Sequence, residues 1–241
     1  MTGVARLVNS TCQVTYSALK SGPSTQALGK SARGAAPASH ALTGSLEMMG
    51  APMSFPRNAE IYGENEPAEY LYKLVSGAVR TSQILNDGRR QIGEFYLPGD
   101  IFGLEVGGKH AFSAEAISDA KLIVIKRSAV EALAARDHEI AKQLWATTGR
   151  ELHRVHEHIL LLIKTAQERV AGFLLEMAER IKSADEFDLP MSRQDIADYL
   201  GLTIETVSRT LTSLENSAAI ALPSSRRVVL RNRAVLRRLN A

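Results

Sequence analysis

The residues with the most directed chemistry stand near the C-terminus. Glu205, Ser208 and Arg209 are spaced i, i+3, i+4, which puts all three on one face of a helix that contains them. An arginine so placed can donate to O6 and N7 of guanine, and a glutamate can accept from N4 of cytosine. The same spacing also suits an ordinary exposed ion pair, worth about 0.2–0.5 kcal/mol. What favours base reading is the stretch that follows, Ile220-Ala-Leu-Pro-Ser-Ser-Arg226-Arg227-Val-Val-Leu-Arg231, which has the pattern of a β-hairpin with a polar, basic tip at Ser224 and Arg226. Residues 226–238 supply six arginines and no acid, so a polar helix face would lie beside a surface fit to grip phosphates.

The elements needed to present that face are written just upstream. Ser192 with Asp195 three residues on is a capping box opening a short helix through Ile196, Ala197 and Leu200. Gly201 ends it, because a tight turn between helices needs positive φ. Thr203 caps a second helix from Ile204 to about Glu215, whose apolar Ile204, Val207, Leu211 and Leu214 share one side. Helix, glycine turn and capped helix make a helix-turn-helix, with Glu205, Ser208, Arg209 and Thr212 left facing outward. A further helix is expected over 167–181, before Asp188-Leu-Pro190 breaks the pattern. Before that, Trp145, Thr148, Leu152, Val155, Ile159 and Leu162 recur at alternating spacings of three and four, a narrow seam along one long helix. It fits the matching helix of a second copy, with burial against the chain's own β domain as the alternative. From Ala59 to about Ile125, short alternating runs punctuated by Gly77, Asn86-Asp87-Gly88 and Pro98-Gly99-Asp100 read as an antiparallel sandwich or barrel.

The 241 residues, 45% hydrophobic and 23% charged, suit two ordinary domains with a tail, and 29 basic against 26 acidic residues give a net charge of only +3. Residues 1–46 contain no Asp or Glu and are rich in Ser, Thr, Ala and Gly, the composition of a disordered tail. Cys12 is the single cysteine, which excludes an intramolecular disulfide framework, a cysteine-based zinc site and a four-cysteine cluster. No run reaches the roughly 18 apolar residues of a membrane helix, so a soluble, cytoplasmic protein is expected. His153, His156 and His158 cluster on the long helix; two imidazoles at i, i+3 can share a metal, but solvated helix surface is the favoured reading, and no metal is expected. No glycine-rich phosphate loop, G-x-S-x-G or H-E-x-x-H occurs, so no enzyme is expected. A cupin-type metalloenzyme is the remote alternative, but only His110 lies between 59 and 125, where such a site needs several.

Residues 57–241 resemble the CRP/FNR superfamily of bacterial transcription regulators. The likeness runs from Tyr70-Leu-Tyr-Lys-Leu-Val-Ser-Gly-Ala-Val79 through Leu97-Pro-Gly-Asp-Ile-Phe-Gly103 to Ser192-Arg-Gln-Asp-Ile-Ala-Asp-Tyr-Leu-Gly-Leu-Thr-Ile-Glu-Thr-Val-Ser-Arg209. It implies an α+β chain organised as an N-terminal β-roll of jelly-roll type over 47–137, a dimerisation helix over 138–164 and a winged helix-turn-helix over 165–241. Glu205-x-x-Ser208-Arg209 is similar to the FNR/FixK type of recognition helix; the CRP type has glycine where Ser208 stands. The resemblance implies a homodimer on double-stranded DNA of the form TTGAT, four spacer pairs, ATCAA. It also implies RNA polymerase as a partner and an activator of low-oxygen, respiratory or nitrogen-fixation genes. Arg193, Gln194, Thr203 and Thr206 match positions that hold phosphates in the family. Two departures bear on the effector. Cyclic-nucleotide binders carry Phe-Gly-Glu and Arg-Ser-Ala, where this chain has Phe102-Gly103-Leu104 and Phe112-Ser113-Ala114, so a cyclic phosphate would meet no bidentate arginine. An FNR-type oxygen sensor needs four cysteines. The remaining expectation is a FixK-like regulator with no cofactor, against a haem- or nitric-oxide-responsive member of the same superfamily.

Overall fold

The computed structural model describes residues 48–105, 107–182 and 185–240; the expected N-terminal tail and Cys12 lie outside them. Eight short strands come first: β1 (Ala51–Phe55), β2 (Glu60–Tyr62), β3 (Tyr70–Ser76), β4 (Val79–Ile84), β5 (Arg90–Tyr96), β6 (Ile101–Phe102), β7 (Ser113–Ala116) and β8 (Ala120–Lys126). They form two antiparallel four-stranded sheets in the orders β1-β8-β3-β6 and β2-β7-β4-β5, the antiparallel sandwich expected from the alternating runs and the β-roll that the resemblance implies. Alternation fixes the register: Leu74 opposite Leu122 and Val79 opposite Ala116 turn apolar side chains to the shared interior. Between Thr81 and Ser82 the pairing shifts by one residue, because β5 carries an extra residue at Gly93. A Cβ on Gly93 would stand 3.0 Å from the Phe112 ring, which packs over it.

Aromatic rings fill the middle of the roll. Tyr62 stacks on His110 at 3.6 Å between centroids, Tyr72 on Phe102 at 5.2 Å and Tyr96 on Phe102 at 4.7 Å. Offset contacts at such distances add to the area buried.

Four helices follow: α1 (Arg127–Ala134), α2 (His138–Leu162), α3 (Ala166–Arg180) and, beyond a short strand β9 (Glu186–Asp188), α4 (Arg193–Leu200). Asp137 caps α2 by accepting from the amides of Glu139 and Ile140. This helix buries Ile140, Gln143, Thr147 and Leu161 and leaves Trp145 82% exposed, Leu152 55% and Ile159 53%. The narrow apolar seam therefore is not spent on the chain's own β-roll. Thr165 and Glu168 make the capping box of α3.

After α4 come α5 (Ile204–Asn216), β10 (Ile220–Ala221), β11 (Arg227–Leu230) and α6 (Arg233–Asn240), which lies against α3. The expected β10–β11 hairpin has a third strand, β9, in the order β10-β11-β9. Three residues are too few to show a period, and Asp188-Leu-Pro190 reads only as a break, so β9 was not anticipated. One apolar core runs from the roll into the winged domain: the Phe95 ring lies 6.3 Å from Phe173 on α3 and 5.1 Å from Tyr199 on α4.

Candidate nucleic-acid interface

The turn between α4 and α5 is built as its sequence dictates. Ser192 Oγ accepts from the Asp195 amide while Asp195 accepts from the Ser192 amide, closing the capping box of α4. Gly201 ends the helix at φ 62°, in the left-handed region that a side chain would strain. Thr203 caps α5 by accepting from the Thr206 amide at 3.2 Å, and the two hydroxyl oxygens lie 3.1 Å apart. Val207, Leu211 and Leu214 are buried, and this fixes which way the other face points.

That face carries Glu205 and Arg209, both exposed, and the half-buried Ser208. Their charged ends do not pair: Arg209 Nε turns back along the helix toward the Glu205 carbonyl oxygen at 3.4 Å. Bonds from its own backbone amide and the Thr203 hydroxyl hold the Glu205 carboxyl below its usual range, with a smaller pull from Arg209. It is thus an anionic acceptor at neutral pH. Ser208, Arg209, Thr212, Ser213 and Asn216 line a shallow groove along the helix.

The expected phosphate contacts fall around this helix. Gln194 is exposed at the start of α4, with Nε2 on Asp198 Oδ1 at 2.7 Å, and it lines one groove with Thr203 and Thr206. Arg193, beside it, is half-buried. On the wing, Ser224 Oγ accepts from the amides of Arg226 and Arg227 and so closes the tip. Arg226 is more engaged than a solvated arginine, since its Nη1 donates to the Pro190 carbonyl at 3.3 Å. Four of its five N–H donors remain. Arg227 pairs with Glu186 at 2.5 Å on β9.

Along α2, Trp145, Thr148, Leu152, Val155 and Ile159 face outward. Leu162 is half-buried near the helix-turn-helix, its methyl within about 4 Å of where a Cβ on Gly201 would be. His158 departs from the solvated-surface reading of the histidine cluster. Its ring stacks on Tyr199 of α4 at 4.0 Å, and burial there lowers its pKa from 6.5 to about 4. No group of three or more potential metal ligands occurs among the described residues.

Comparison with known proteins decides the family. A Crp-like helix-turn-helix domain matches residues 168–239, and a cyclic nucleotide-binding domain matches 52–137. The chain is 55% identical over 199 residues to a nitrogen fixation regulation protein FixK of Azorhizobium caulinodans, covering 80% of each. The chain belongs to the CRP/FNR family. Within that family it is also 41% identical to a FixK of Rhizobium meliloti, covering 78% of this chain and 90% of that one. The solved structure of FixK2 from Bradyrhizobium japonicum superposes with a TM-score of 0.77 at 52% identity, over 80% of this chain and 98% of that one. This CRP/FNR member is a FixK/FNR-type transcription regulator with a helix-turn-helix DNA-binding domain, and its relatives are regulators rather than enzymes.

The family also implies a cyclic nucleotide in the roll, and the residues present do not fit one. Leu104 packs on the apolar cluster of Leu71, Ile101, Ile125, Val130 and Ile140. Phe112 lies over Gly93, and the aromatic stack occupies the interior. A buried phosphate monoanion needs a charged or multiply bonded partner to offset its desolvation, and neither Leu104 nor Phe112 can provide one.

Sequence reasoning missed the carboxylates of α4. Asp195 reads as a cap and nothing more, yet in the folded chain it is 4% exposed and meets two arginines of the β-roll. Those partners lie more than 100 residues away, and no short-range pattern announces them.

Proposed function

We propose that this regulator binds a palindrome of the TTGAT-N4-ATCAA type as a homodimer, without cyclic nucleotide, and activates transcription from it through RNA polymerase. The observation that carries the reading is the outward face of Glu205, Ser208 and Arg209 on α5, whose two charged ends do not pair with each other. Arg209 donates to the guanine of TTGAT and Glu205 accepts from the cytosine opposite it, while Arg193, Gln194, Thr203, Thr206, Ser224 and Arg226 hold the flanking phosphates. A palindrome demands a two-fold protein, and the exposed seam from Trp145 to Ile159, ending at Leu162, supplies the self-complementary surface. Residues 47–137 then serve as the β-roll, 138–164 as the dimer helix and 165–241 as the reading domain. No helix among the described residues is long and apolar enough to cross a membrane, and a cytoplasmic site of action follows from a DNA target. The relatives named for nitrogen fixation regulation point to genes of that class.

Fluorescence anisotropy on a labelled palindrome tests this directly. Ligand-free protein should bind it far more tightly than a duplex with both half-sites scrambled, at the same salt. Equal affinities would refute the operator. A Soret band in anaerobically purified protein would replace the effector-free reading with a haem-responsive one.

A further inference from the structure

Asp195 divides its two oxygens between two tasks. Oδ2 serves the capping box, accepting from the Ser192 amide at 3.0 Å and the Ser192 hydroxyl at 2.7 Å. Oδ1 accepts from two arginines of the β4–β5 hairpin, Arg80 Nη1 at 2.6 Å and Arg90 Nη2 at 2.7 Å. Arg90 Nε also bonds Asp198 Oδ2 at 2.7 Å, and Arg80 Nη2 bonds Glu115 Oε2 on β7 at 2.8 Å. A helix cap needs none of these arginines. Their effect is to fasten the first helix of the helix-turn-helix to the β-roll through a largely buried network of two arginines and three carboxylates.

The two domains also share the apolar contacts of Phe95 with Phe173 and Tyr199, and the bonds of Arg180 to Glu94 and Asp100; the apolar contact is non-directional, and the Arg180 bonds pin only the C-terminal end of α3, so a turn about that point stays open without the Asp195 network. Charge-assisted bonds from the planar guanidinium are directional. We propose that Arg80 and Arg90 are positioning residues that set the half-site spacing the dimer accepts. The proposal rests on the operator reading above. Changing the spacer by one base pair moves a half-site by about 3.4 Å and turns it by about 35°, since one helical turn of about 34–36 Å holds 10–10.5 pairs. Hydrogen bonds of this length do not survive a stretch of that size. A fastened reading domain therefore rejects the wrong spacer, whereas a freed one pivots to follow it. The pivot would be α3, whose Arg180 stays bound to Glu94 and Asp100, each at 2.9 Å.

The test uses full-length wild type, Arg90→Lys, Arg90→Glu and the double variant Arg80→Ala/Arg90→Ala. Each is checked for dimers by sedimentation and for fold by circular dichroism. Affinity is measured on palindromes with three, four and five spacer pairs and on four-pair palindromes altered at the guanine. Wild type should prefer four pairs by about tenfold or more, equivalent to about 1.4 kcal/mol. In Arg90→Glu and the double variant that preference should fall below about threefold, with Arg90→Lys between, while the guanine preference stays. Arg90 is 26% exposed at its side chain, so Arg90→Glu can turn to solvent and decides the matter if the double variant does not fold. Loss of a direct phosphate contact would weaken all spacers alike and leave the ratio untouched. A wild-type spacer ratio in Arg90→Glu overturns the proposal alone; a wild type indifferent to the guanine overturns the operator reading and this proposal with it.

Discussion

Reversing the character of the α2 seam should take the proposed dimer apart. Leu152 and Ile159 expose 55% and 53% of their surface in the single chain, so a partner helix can bury about half of each side chain. Full burial of such a residue contributes about 1.5–3 kcal/mol, so half burial gives about 0.8–1.5 kcal/mol per side chain. Four such side chains meet in a symmetric dimer, for about 3–6 kcal/mol in all. Leu152→Asp with Ile159→Asp removes that contribution and places four carboxylates in the seam, where like charges repel and lose hydration. The dimer dissociation constant should rise by at least about 10²–10⁴-fold. Neither side chain serves the core of the single chain, so the helix content should hold. Sedimentation velocity across a dilution series, with anisotropy on the palindrome, measures both consequences. A dimer that persists at wild-type concentrations, or monomers that bind the palindrome as tightly as wild type, would refute the assignment of the seam.

Three further outcomes are expected. Titration calorimetry with cyclic AMP should be silent, because Leu104 and Phe112 offer the phosphate no partner; a micromolar signal with a gain in DNA affinity would contradict this. His158 has its pKa lowered from 6.5 to about 4 by burial against Tyr199, so the unfolded chain takes up the proton first as pH falls. Stability is therefore lost between about pH 6.5 and 4. The whole drop is worth about 3 kcal/mol at 1.36 kcal/mol per pH unit, which partial exposure of the ring reduces to about 1–2 kcal/mol. His158→Phe should flatten urea-unfolding stability over that range by this amount, and an unchanged slope would show that the histidine is not the source. Arg226→Ala should weaken binding to all sequences alike and lower the slope of log affinity against log salt by about one per phosphate released; an unchanged slope would leave Arg226 on Pro190 and off the DNA.

Much of the candidate interface was legible because its determinants are local. Ser192 and Asp195, Gly201, and Thr203 each fix a cap or turn within four residues, and the apolar spacing of Val207, Leu211 and Leu214 fixes which side of α5 faces out. The antiparallel β sandwich was legible from alternation and turn residues, and its β-roll form from the family resemblance. What escaped was non-local or short. β9 has three residues and pairs with β11 some 40 residues later, and nothing near Asp195 signals Arg80 or Arg90. His158 looks identical in sequence to its solvated neighbours His153 and His156, and only the packing of α4 onto α2 buries it.

The central claim is that Arg209 reads a base rather than decorating a helix. Affinities of wild type and Arg209→Ala for the palindrome and for every single-base change at its guanine position, at several salt concentrations, test it most directly. Arg209→Ala should cost about 1–3 kcal/mol per half-site and bind all four bases at that position nearly equally, with the salt slope almost unchanged. If Arg209→Ala keeps the wild-type preference for guanine, α5 does not read this operator through Arg209, and the account of the interface fails.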